Sequence, residues 1–255
     1  MKNTKIILFL FSIITSLAAK AVEINDKGYR LSETAVLKDY TLMNLTPTPS
    51  HLSNHIVKIN HRVDRQEANE IAENIITISS CFDIDPWVLT ALIQKESTFQ
   101  KDAVSQTNAA GLTQFTTIGF KEVHDQLGYR GRKGASENAT LYFTSKIRNC
   151  VDAGWVDLWA RVDAVDSNPN YYNLLKEEIK RDIPTAITYG AILLKTYVAF
   201  VDSKSGSEDL SRSELYYQAL QIYNGEPGEA KVRYAKNIFR NLQGVYPAPI
   251  KFPFL

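Results

Sequence analysis

The 255-residue chain is 44% hydrophobic and 22% charged, enough apolar material for one large core or two small ones. Its 29 basic and 28 acidic residues leave a net charge of +1, which excludes the strongly basic balance of a nucleic-acid binder.

Lys2 and Lys5 precede an apolar run, Ile6 to Ala19, and Ala19-Lys20-Ala21 supplies small residues at cleavage spacing. This pattern reads as a secretory leader over 1–21. A membrane anchor is the alternative, but the run is short of the ~20 apolar residues of a bilayer span. Loss of Lys2, Lys5 and Lys20 would leave 26 basic against 28 acidic residues, a net of −2. No Cys stands at the cleavage point for lipid attachment, so the expected product is periplasmic or secreted and spans no membrane once processed. In such an oxidising compartment the only two cysteines, Cys81 and Cys150, can pair; the alternative is two buried thiols.

Residues 22–63 show no clear period and read as an N-terminal extension. His51 and His55 stand four apart, but the approach through Thr46-Pro47-Thr48-Pro49 argues against a helix there. No acidic or Cys partner is in register, so these two and His61 read as surface histidines, with no metal site expected. From Asp64 the pattern turns helical: Asp64 and Glu67 form a capping box, and Ala68, Ile71, Ile75 and Ile78 share a face. Asp85-Pro86 opens the next helix, with Asp85 as N-cap. Further apolar-periodic segments cover 186–200, 211–223 and 229–242, the last ended by Gly244, and Ser211 with Glu214 makes another capping box. No run alternates, so the fold class is mostly α.

In the helix after Pro86, Glu96 follows Leu89 by seven residues, Leu92 by four and Ile93 by three. It therefore lies beside the apolar stripe in the final turn. Desolvation there raises a carboxyl pKa, which is the tuning a general acid needs. Taken alone, a Glu near a helix end is more often solvated or ion-paired. The surrounding residues change that reading.

Glu96-Ser97-x-Phe99, then Ala103-Val104-Ser105, then Ala109-Ala110-Gly111-Leu112-Thr113-Gln114 resembles the signature of the soluble lytic transglycosylases, lysozyme-like glycosidases related to goose-type lysozyme. In that family a Ser falls nine residues after the catalytic Glu and Gly-Leu-x-Gln begins fifteen after, the positions of Ser105 and Gly111. Ile222-Tyr223-Asn224-Gly225-Glu226-Pro227, with Tyr234 downstream, looks like the family's Ala-Tyr-Asn motif, and Ala186-Ile187-Thr188-Tyr189-Gly190 is similar to its Asn-Ile-x-x-Gly helix. The resemblance implies a lysozyme-like helical catalytic domain over 64–244, with an enlarged insertion at 121–182 and a tail at 245–255. It implies peptidoglycan glycan strands as partner, no cofactor, and Glu96 as the catalytic acid and base. Ser97, Ser105, Gly111, Leu112, Thr113, Gln114, Tyr223 and Asn224 would line the substrate groove. Gly111 would let the backbone approach a sugar, Gln114 and Asn224 would offer amides, and Tyr223 would hold the Glu96 carboxyl or serve as a core aromatic. Ser97 is either a site residue or a helix-end residue.

Several positions depart from the family pattern. Asn108 replaces a Gly, and Asn tolerates a left-handed backbone. Thr113 replaces the common Met, as a smaller and more polar groove contact, and Thr116-Thr117 stands where a Pro usually follows. Ile222 and Glu226 replace Ala and Gly. In the insertion, the basic loop 128–134 reads as a solvated turn. Trp155, Trp159, Tyr171 and Tyr172 read as packing, or else as an extension of the groove. Glycosidases commonly pair two carboxylates. Asp102, Glu122, Asp125, Asp152 and Asp157 are candidates, but none stands at a family catalytic position. The expected activity is cleavage of the MurNAc-GlcNAc bond with formation of a 1,6-anhydro ring. A lysozyme using water and a non-catalytic wall-binding module are the alternatives.

Overall fold

The computed structural model describes residues 29–128, 137–151, 170–204, 206–225 and 227–255. The leader at 1–21, most of the 128–134 loop, Asp152, Trp155, Asp157, Trp159 and Glu226 lie outside the described residues. Ten helices are seen among them: α1 Glu33–Leu37, α2 Pro49–Ile59, α3 Arg65–Cys81, α4 Pro86–Ser97, α5 Thr117–Gln126, α6 Glu137–Cys150, α7 Tyr171–Ile179, α8 Ile183–Asp202, α9 Arg212–Asn224 and α10 Glu229–Val245. The described residues hold no strand, only two isolated bridges, Val104 with Ala110 and Ala110 with Phe115. The chain is mostly α, in keeping with a lysozyme-like helical domain.

The caps explain where helices begin. Asp64 accepts the Glu67 N–H at 2.8 Å, Thr116 accepts that of Gly119 at 3.2 Å, and Ser211 and Glu214 complete a reciprocal capping box. The region before residue 63 differs from the sequence expectation, because α2 forms directly after the proline-rich approach. Pro49 occupies the first turn, where its missing N–H costs nothing, and the Thr48 hydroxyl caps His51 N–H. His51 and His55 are half-buried rather than free on the surface. The ring of His51 bonds the Val245 carbonyl at 2.9 Å, and that of His55 bonds Gln94 at 2.8 Å.

The core is one cluster centred on α8, which packs against α1, α3, α5, α7 and α9. Its 20 residues are apolar enough to cross a membrane by length and composition, yet 89% of that window is buried inside the fold. The N-terminal extension belongs to the same cluster, contributing Leu31, Val36, Tyr40, Leu52 and Ile56. Polar ties fasten it. The fully buried Lys195 of α8 donates to the Lys38 carbonyl at 2.5 Å and lies 4.5 Å from the Tyr40 ring centre. Burial holds the Lys195 ammonium pKa down to about 7. Asp85 is fully buried and accepts four backbone N–H groups. Leu42 and Met43 of the extension reach one oxygen, each at 2.8 Å, and Trp87 and Val88 of α4 reach the other. This carboxylate caps α4 and clasps the extension to it.

Two helix ends are joined covalently. Cys81, the last residue of α3, forms a disulfide with Cys150, the last of α6, with a Cα separation of 5.9 Å. Among the insertion's described aromatics, Tyr171 is buried and Tyr172 half-buried, and both rings pack near His124 of α5. The tail returns over α9 and α10, with Phe254 stacked on Tyr217 at 4.2 Å and Phe252 edge-on to Phe239.

Candidate active site

Helix α4 lies between α3 and α10, and that packing places its last turn. Thr98 caps the helix in the left-handed region (φ 53°), followed by the buried Phe99 at φ 63°. Two consecutive non-glycine residues in that region, one of them β-branched, mark a strained exit beside Glu96. The Glu96 carboxyl is half-buried and accepts a hydrogen bond from the Tyr234 hydroxyl of α10. Burial drives its pKa up to about 7, against the opposing pull of the Tyr234 bond and the Lys95 charge. The Lys95 ammonium is 5.6 Å from the Tyr234 ring centre, so the cation supports the same pair. No carboxylate among the described residues is close enough to shift Glu96. Glu122, buried in α5, instead accepts Tyr29 N–H at 3.2 Å and Gln126 at 3.0 Å.

The residues of the first motif form a tight loop beside this turn. Ser97 donates to the Ile93 carbonyl at 3.3 Å within its own helix. Ser105 accepts Ala109 N–H at 3.0 Å, and Asn108 takes the left-handed turn at φ 61°. Gly111 has φ 76°, and a Cβ there would meet Ile179 at 3.2 Å; its close approach is to α7. Leu112 is fully buried. Thr113 also turns inward rather than toward a groove, with its hydroxyl donating to the Ala186 carbonyl of α8 at 3.2 Å. Gln114 (φ 48°) spends its amide nitrogen on the Ala103 and Gly111 carbonyls, at 3.1 and 3.0 Å. These side chains hold the loop together and fasten it to α7 and α8.

The second motif ties to this loop. The Tyr223 hydroxyl donates to the Thr113 carbonyl at 3.0 Å, so it locks the loop, and the direct bond to Glu96 comes from Tyr234 instead. Tyr223 still feels the carboxyl, for burial and then the Glu96 charge both hold its hydroxyl proton on more tightly. Asn224 ends α9 with its amide nitrogen buried and without a partner among the described groups. The sequence reading named Tyr234 as an aromatic and missed its bond to Glu96; its spacing within α10 is the only local signal.

One carboxyl poised near neutrality, one hydroxyl fixed on it and one unspent amide make a centre able to give a proton and take it back. No curated protein and no solved structure matches the chain. Residues 73–141, which run from α3 through Glu96 and the 105–115 loop into α6, match the family model of the transglycosylase SLT domain, the same family that the motifs resemble, so the chain carries a domain of the lytic transglycosylase type.

Proposed function

We propose that the protein is an exported peptidoglycan-cleaving enzyme that cuts the MurNAc-GlcNAc β-1,4 bond as a lytic transglycosylase. The observation that carries this reading is the Glu96 carboxyl, raised to about 7 and held by Tyr234, with no second carboxylate acting on it among the described residues. Glu96 gives its proton to the glycosidic oxygen as the C1–O bond breaks, and the bonding pair leaves with that oxygen. The substrate's acetamido oxygen stabilises C1, and the unspent amide nitrogen of Asn224 supports a role for that residue in orienting the group. The C6 hydroxyl then attacks C1 and its proton returns to Glu96, closing the anhydro ring without consuming water. One group acting as acid and then base works best with a pKa near the working pH. The leader-like start and the Cys81–Cys150 bond support export to an oxidising compartment.

Mass spectrometry of products formed in ¹⁸O-labelled water tests the reading. The expected products carry 1,6-anhydromuramic ends without label. Labelled reducing ends would make the enzyme a lysozyme, and binding without cleavage would make it a wall-binding module. Glu96→Gln should lower turnover by about 10²–10⁴-fold while leaving glycan binding in place.

A further inference from the structure

Outside the Glu96 centre, a hollow of about 460 Å³ opens where the end of α8, the exposed side of α9 and the start of α10 meet. Its polar lining comes from Tyr29, Lys204, Gln218, Gln221 and Lys231, and Ile222 and Gly225 also line it. Neither lysine is ion-paired among the described residues, and no described carboxylate lines the hollow. Lys204 is steadied over the Phe200 ring, 4.4 Å from its centre. The Gln221 nitrogen is spent on the Tyr217 carbonyl at 3.2 Å, which leaves its oxygen to accept an N–H. Two unpaired cations beside amide side chains, in a volume of ordinary ligand size, suit a short peptide bearing carboxylates.

The hollow is built from chain segments that neighbour the candidate centre in sequence. Ile222 and Gly225 flank Tyr223 and Asn224, and Lys231 precedes Tyr234 by three residues, roughly 4.5 Å along the helix axis. Muramic acid carries a peptide with free carboxylates next to the bond that would be cut. We propose that this hollow seats the acidic stem peptide of the muramic residue at the scissile bond, with Lys204 and Lys231 pairing its carboxylates. The inference rests on the glycan-cleaving reading, since it names which glycan strands are preferred.

Three soluble substrates test it: peptide-bearing glycan strands, the same strands stripped of peptide by an amidase, and strands whose peptide carboxylates have been amidated. At low salt the protein should show a KM about three- to tenfold lower on the first than on the other two, with kcat unchanged. The double variant Lys204→Gln, Lys231→Gln should lose that preference and cut stripped strands as before. Equal KM values for the unaltered protein, or a preference that survives in the double variant, would overturn the proposal. Should the protein cut none of the substrates, the functional reading fails by itself. Binding of labelled peptide-bearing and stripped strands to Glu96→Gln then decides the hollow separately, with equal affinity counting against it.

Discussion

Glu96 and Tyr234 stand 138 positions apart and are joined by a hydrogen bond from the tyrosine hydroxyl to the carboxyl. The carboxyl's ordinary pKa of 4.5 is raised to about 7, so the sign of its pH effects is fixed. Below about 4.5 the folded and unfolded chains both hold this proton. Between there and about 7 only the folded chain keeps it, so the stability it lends is lost as pH rises through that window. Glu96→Gln should therefore be more stable than the unaltered protein at pH 8, by about 1–3 kcal/mol, with the difference vanishing near pH 4. Activity should fall tenfold per unit above about pH 7, because the free enzyme must start protonated. Tyr234→Phe removes a bond that favours the charged form. Its alkaline limb should move up by as much as about one unit, measured as kcat/KM against pH. A tyrosine that only filled space would lower the rate and leave the limb in place.

The elements show which parts of the site could be read locally. Asp85-Pro86 and Ser211 with Glu214 announce their helices, because a cap is a contact between near neighbours. Thr48-Pro49 carries the same signal, masked by Pro47 just before it. The inward turn of Thr113 was hidden, since it depends on α8 passing behind the loop. Gly190 marks that passage: a Cβ there would lie 2.5 Å from Thr113 Cγ2. Gly190→Ala should cost about 1–3 kcal/mol of stability, and adding Thr113→Ser should restore much of it, read from urea midpoints. Additive losses would mean that the contact is not the reason for the glycine. Which tyrosine reaches the carboxyl was equally hidden, because Tyr223 and Tyr234 are sorted by how α9 and α10 cross α4.

At the scale of the molecule, the disulfide holds the insertion to the catalytic half across 69 positions. Removing it by Cys81→Ala with Cys150→Ala should cost about 4 kcal/mol in the chain-entropy account, seen as a lower melting temperature that reductant no longer changes. An unchanged melting temperature would mean that the packing of α6 carries the tie alone. The route of the chain through the site has another consequence. The acid comes from α4 and its partner from α10, so a chain in which these two helices have not met has only an ordinary glutamate. Proton transfer near neutrality therefore depends on α4 and α10 being docked, and a change that parts them disarms the site without touching Glu96 itself.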